Sequence, residues 1–121
     1  MFVLDASALL AYLQAEPGAG VVAQALRDGA ACSAANWSET MQKAFQLGRD
    51  WNAARQLFES FDLMVEPVIQ EDAEWAAIYW QNHSSLSLGD RLCLALAHRL
   101  SATVLTADAA WGRDGNIEQI R

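Results

Sequence analysis

Positive charge is scarce in this chain: eight Lys and Arg stand against 15 Asp and Glu among 121 residues, for a net charge of -7 at neutral pH. A broad electrostatic hold on a phosphate backbone needs clustered cations, so that class of binder is excluded. Any nucleic-acid contact has to be local or assisted by a metal ion. Cysteine is nearly absent too, and Cys32 and Cys93 both sit inside apolar segments, where free thiols pack as small hydrophobes. With only His83 and His98 besides, the chain has no recognised zinc spacing and no disulfide framework. It has no repeat, no low-complexity tract and no apolar run near the ~18 residues of a membrane span. The N-terminus leads straight into a strand pattern, without the basic segment and cleavage site of a secretory signal. The expectation is a cytoplasmic protein without a membrane anchor.

What is present is a hydrophobic content of 53%, more apolar surface than one small core hides, which points to a protein partner. The length fits a single domain, residues 1–121, able to bury roughly two thirds of its unfolded surface. Met1-Phe2-Val3-Leu4, Ala30-Ala31-Cys32, Leu63 to Pro67, Thr103 to Thr106 and Asn116 to Ile120 read as short strands. Helical patterns fill the intervals. Trp37, Met41, Ala44, Phe45 and Gly48 predict the apolar face of the third helix, with Asn36, Glu39, Thr40 and Lys43 opposite. Ala73, Ala76, Ala77 and Trp80 predict the stripe of the helix from Gln70 to Asn82, and Trp75 and Tyr79 read as packing aromatics. Short strands alternating with helices predict an α/β fold: a three-layer α/β/α sandwich around a short, mainly parallel sheet. Such sheets place their sites beyond the carboxyl ends of the strands.

Four acids stand where that rule puts a site. Asp5 ends the first strand, Glu39 lies a turn and a half inside the helix after the second, Asp90 opens the near-continuously apolar helix Leu92 to Ala97, and Asp108 follows the fourth strand. Singly, Asp5, Asp90 and Asp108 read equally well as helix N-caps, and Glu39 as the partner of Lys43 four residues on. As a set in one crevice they repel, and one or more holds its proton unless a cation sits among them. Oxygen-only ligands suit Mg²⁺ or Mn²⁺. Divalent ions on carboxylates commonly serve phosphate chemistry.

The segments Val3-Leu4-Asp5-Ala6-Ser7-Ala8-Leu9-Leu10, Ser33 to Glu39, Leu86-Ser87-Leu88-Gly89-Asp90 through Ala97, and Leu105-Thr106-Ala107-Asp108 together resemble the PIN domain family, and within it the VapC-type ribonuclease toxins of toxin-antitoxin pairs. The resemblance implies metal ligation by Asp5, Glu39, Asp90 and Asp108. It implies Thr106, Ser7 and Asn36 as polar groups that orient those acids or the substrate. It further implies a homodimer, inhibited by a cognate antitoxin, that cleaves RNA with Mg²⁺ or Mn²⁺. Two other functions compete. A phosphatase with Asp5 as nucleophile would need a second Asp at the position of Ser7; a catalytically idle PIN scaffold that only binds a partner would draw on the abundant apolar surface.

Overall fold

The computed structural model describes all 121 residues. Five strands, β1 (Phe2–Leu4), β2 (Ala30–Ser33), β3 (Met64–Glu66), β4 (Thr103–Thr106) and β5 (Ile117–Gln119), form one parallel sheet in the order β3-β2-β1-β4-β5. The chain starts at the centre, winds outward to one edge, then returns to the other side of β1. The reversal between β1 and β4 is the point at which such a sheet opens a crevice.

The central strands are apolar throughout because helices cover both faces. The alternation of side chains then splits the core in two. Leu4, Cys32 and Leu105 face α1 (Ala6–Leu13), α2 (Ala19–Asp28) and α4 (Trp51–Ser60), where they pack on Leu9, Leu26 and Phe58. Val3 and Val104 face α6 (Leu88–Leu100), against Cys93, Leu94, Leu96 and Ala97, with Trp75 and Tyr79 of α5 (Gln70–Trp80) packed alongside. The three layers are thus α/β/α. Trp37 of α3 (Ala34–Gln46) meets Trp51 at 4.9 Å, edge to face, where α3 turns back into α4. Each large side chain buried in these cores contributes about 1.5–3 kcal/mol. No helix is long and apolar enough to cross a membrane.

Two helices turn differently from their apolar patterns. In α3 the buried line is Asn36, Thr40 and Ala44, while Phe45 is 60% exposed. In α5 the buried positions are Asp72 and Ala76, and Trp80 is exposed. The reason is similar in both cases: the inward polar side chains are satisfied, Thr40 within its own helix and Asn36 and Asp72 by partners on α6. The Thr40 hydroxyl donates to Asn36 O at 2.7 Å, and the Asn36 amide donates to Gly89 O of α6 at 3.2 Å. Arg99 of α6 grips Asp72 through two bonds, Nε to Oδ1 at 2.9 Å and Nη2 to Oδ2 at 3.0 Å. A buried carboxylate with a bidentate guanidinium is an inward-facing group, whatever its hydropathy.

Candidate active site

All four sequence-selected acids line one cleft of about 380 Å³, together with Ser7 and Asn36. Asp5 is the first residue past β1, and Asp108 stands two residues beyond Thr106, the last of β4. Glu39 comes from α3 and Asp90 from the first turn of α6. Four elements that meet only in the folded chain therefore supply one acid each.

Asp5 is the most enclosed, at 4% exposure. It caps α1, accepting from Ala8 N at 2.8 Å, and the Ser7 hydroxyl donates to the same Oδ1 at 2.7 Å. Thr106 Oγ1 donates to the other oxygen, Oδ2. Each of these hydroxyls also accepts a backbone N–H from the segment carrying Asp108: Ala107 N to Ser7 at 2.9 Å and Asp108 N to Thr106 at 3.0 Å. Two hydroxyls thus tie the end of β1 to the end of β4. Capping and clustering are both true of Asp5, so its place at a helix start does not argue against a site. Burial pushes its carboxyl from 3.8 up to about 6, against the hydrogen bonds from Thr106, Ser7 and Ala8, and the Asp90 charge adds a smaller push in the same direction.

Glu39 is turned toward α6 and makes no ion pair with Lys43. Its Oε1 accepts from Asn36 Nδ2 at 2.9 Å, and its carboxylate lies against Gly89 so closely that a Cβ there would stand 3.0 Å from Glu39 Cδ. Glycine at this position is what lets the two helices share the acid. Asn36 donates to both Glu39 and Gly89 O, which fixes its amide orientation and leaves Oδ1 buried without a partner. Asp90 is the third residue of α6 rather than its cap. Ser87 caps the helix, and Asp90 Oδ2 accepts from Ser87 N at 3.2 Å in a reciprocal capping box. Asp108 is exposed and accepts from Ala110 N at 2.9 Å, starting the short 3-10 turn Ala109–Trp111. Beneath the acids, burial pushes the Cys93 thiol well above its ordinary value, and Asp5, Cys32, Asp90 and Glu39 add to the effect. It is an inert core thiol, as is Cys32.

Lys43 and Arg121 line the cleft as well, but they are outnumbered by its carboxylates and pair with none of them. The ion pairs of the chain are Arg55 with Glu59 and Arg99 with Asp72, and neither involves the four acids. An all-oxygen donor set, an orphaned buried Asn36 Oδ1 in the same wall, and an excess of carboxylates over cations suit a hard divalent cation in chemical kind. No three of the carboxylates stand close enough together to hold a metal ion in this conformation. Asp5, Glu39 and Asp90 each spend an oxygen on a local hydrogen bond.

Three residues shape the site without standing out as site residues in the sequence. Gln119 of β5 donates to Asp108 O and to Gly112 O, both at 2.9 Å, and so holds the loop that presents Asp108. Arg121 lines the cleft and donates to Pro17 O at 3.1 Å. Gly18 adopts φ +95° where a Cβ would stand 2.7 Å from Ile120 O, which lets the stretch before Arg121 lie on the turn after α1. Only the glycine of Glu16-Pro17-Gly18 carried a sequence signal, that of a turn.

Comparison with known proteins gives three kinds of result. A family model described as PIN domain matches residues 2–114. A search of curated proteins finds no match. Among solved structures, a toxin-antitoxin complex from Klebsiella pneumoniae superposes with a TM-score of 0.80 at 18% identity, over 100% of this chain and 98% of that one. VapBC2 from Rickettsia felis, bound to a DNA fragment from its promoter, gives 0.76 at 13% identity over 98% and 97%. VapC20 from Mycobacterium tuberculosis, a toxin that cleaves the sarcin-ricin loop, gives 0.70 at 16% identity over 93% and 95%. At these identities the likeness is one of fold.

Proposed function

The chain belongs to the PIN domain family, and from that premise we propose that it is the toxin of a toxin-antitoxin pair, a metal-dependent endoribonuclease whose site is the four-acid cleft. One observation carries the reading. Asp5, Glu39, Asp90 and Asp108 arrive from four separate elements at the β1/β4 reversal and line one cleft with no cation of the chain paired to them. A structural cap needs only its own helix; four acids brought together against their mutual repulsion call for a shared ligand.

Asp5, Glu39, Asp90 and Asp108 would hold Mg²⁺ or Mn²⁺. When bound there, the ion supplies activated water and stabilises charge on the phosphate and leaving oxygen. The remaining work belongs to the chain. Ser7 and Thr106 fix the rotamer of Asp5 and link it to the Asp108 backbone. Asn36 orients Glu39 and keeps one acceptor, Oδ1, free in the wall of the cleft. The walls above β1 and β4 leave no His pair for a metal-free route through the ribose 2′-hydroxyl.

The partner in this reading is a small antitoxin that lays an apolar segment across the cleft rim and a basic side chain among the acids. Leu47, 52% exposed, and Leu10 both line the cleft, and a cation complements its charge. The reading includes a homodimer, for which exposed Ile78 and Trp80 on α5 offer apolar surface. A catalytically idle scaffold is favoured by a different observation, the engagement of Asp5, Glu39 and Asp90 in local hydrogen bonds.

One assay separates the two. Purified protein incubated with RNA in Mg²⁺ or Mn²⁺ is expected to leave 5′-phosphate and 3′-hydroxyl ends and to stop in excess EDTA. Undiminished cutting in EDTA, or 2′,3′-cyclic phosphate ends, refutes the metal reading; no cutting under any condition leaves the scaffold.

A further inference from the structure

The eight cations are spread along the sequence, yet the fold brings two of them to one place beside the acids. A second hollow, of about 420 Å³, is lined by Ala109, Gly112, Arg113, Asp114, Gln119 and Arg121. Arg121 belongs to both walls, that of this hollow and that of the acid cleft. The electrostatic character changes across it: carboxylates dominate on one side, two guanidiniums and a single carboxylate on the other.

We propose that Arg113 and Arg121 form a phosphate subsite that seats a backbone phosphate of single-stranded RNA next to the linkage held at the acids. The inference rests on the ribonuclease reading and names how an acidic protein holds its polyanionic substrate. Neither arginine takes part in the ion pairs of the chain, although Asp114 lines the same hollow. Planar guanidiniums match phosphate oxygens in a way that a lone ammonium does not.

The placement of Arg121 is built rather than incidental. Ile120 N donates to Thr106 O at 3.0 Å, so Arg121 follows directly on a residue bonded to the strand end that also holds Asp5. Ile120 is buried, and Gly18 has no Cβ where one would strike it. The bond from Nη1 to Pro17 O then fixes the guanidinium at the rim and leaves its other N–H groups free for a phosphate. On the far side of the hollow, Gln119 bonds Gly112 O and holds the loop that carries Arg113. Both arginines are thus registered to β4 and β5, the frame that also sets Asp108.

The test uses the full chain and a fluorescein-labelled single-stranded RNA of about twelve nucleotides, within the usual site size for such strands. Binding is measured in Ca²⁺ against salt, and cleavage in Mg²⁺, for wild type, Arg113→Ala, Arg121→Ala, the double variant, Arg121→Lys and Arg27→Ala. Arg27 lies on α2 and lines neither hollow, so it controls for net charge. Removing each subsite arginine is expected to flatten the slope of log K against log salt by about 0.7, and the double variant by about 1.4. KM should rise with kcat retained, Arg121→Lys should restore most of the slope, and Arg27→Ala should match wild type. Slopes unchanged in the subsite variants overturn the inference alone, as does an equal loss in Arg27→Ala. Wild type that neither binds nor cuts RNA overturns the ribonuclease reading and the subsite with it.

Discussion

Replacing Asp5 by Asn should make the metal-free protein more stable, and the gain should depend on pH in a defined direction. Asn is about as good an N-cap as Asp, so the bond from Ala8 N survives. Thr106 can turn its hydroxyl toward Ser7, 3.2 Å away, and accept from the new amide. What disappears is a buried negative charge. The native carboxyl titrates at about 6 instead of 3.8, so the folded state binds the proton more tightly than the unfolded chain does. Below about 4 the residue is protonated in both states and costs nothing; as pH rises to about 6 and beyond, wild type loses stability that Asn retains. The interval from 3.8 to about 6 corresponds to about 3 kcal/mol.

Thermal melts in EDTA between pH 4 and pH 8 measure this directly. At pH 8 the variant should melt about 10 °C above wild type, and the two curves should converge toward pH 4. Saturating Mn²⁺ should reverse the order: wild type gains about 3 kcal/mol at a hundredfold excess over Kd, whereas the variant, short of one anionic ligand, gains far less. RNA cleavage should collapse in the variant. A variant less stable than wild type in EDTA at pH 8, or a gain of the same size at every pH, refutes the electrostatic argument. A wild-type melt insensitive to Mn²⁺, with cleavage intact in Asp5→Asn, returns the acid to simple capping.

Gly89→Ala adds helix propensity worth up to about 1 kcal/mol but drives a Cβ into the Glu39 carboxylate, so RNA cleavage should fall at least tenfold with stability little changed; activity equal to wild type would remove Glu39 from the site. Thr106→Val, nearly isosteric and fully buried, breaks the bond to Asp5 and strands Asp108 N, and urea unfolding should show a loss of about 2–3 kcal/mol. Arg99→Met leaves Asp72 buried and unpaired, a loss of about 3 kcal/mol by the same measurement, and Asp72→Leu in the same chain should recover most of it; a double variant no better than the single would count against desolvation as the cause.

The sheet and the four acids were legible because both follow from local pattern. Short apolar runs with an acid at the carboxyl end, as in Val3-Leu4-Asp5 and Leu105-Thr106-Ala107-Asp108, mark strand ends in a parallel fold whatever the rest of the chain does. The inward faces of α3 and α5 were not legible, since periodicity counts hydropathy and cannot see a partner 53 residues away, as Gly89 is from Asn36, or 27, as Arg99 is from Asp72. The start of α6 is one turn ahead of Asp90, where the sequence pattern places it, for a similar reason. Leu88 and Gly89 are exposed or small and read as loop, yet Ser87 caps the helix ahead of them. Gln119 and Arg121 gave no signal at all, because their partners, the Asp108 and Pro17 carbonyls, are backbone groups with no sequence identity.

The hydroxyl bridge between Thr106 and Asp5 spans 101 positions of chain. On a ribosome, where about 5–20 residues are added each second and the first-made parts fold first, β1 emerges early but has only β2 for a neighbour until β4 follows. Of the four acids Asp108 is made last, after Asp5, Glu39 and Asp90. A chain arrested or cut anywhere before β4 lacks Asp108 and has an open edge on its central strand, so it carries an incomplete site, not a slow nuclease. On the proposed reading, the cell that makes this toxin is exposed to it only after nearly the whole domain has left the exit tunnel, and an antitoxin that seizes the earlier helices has that interval in which to act.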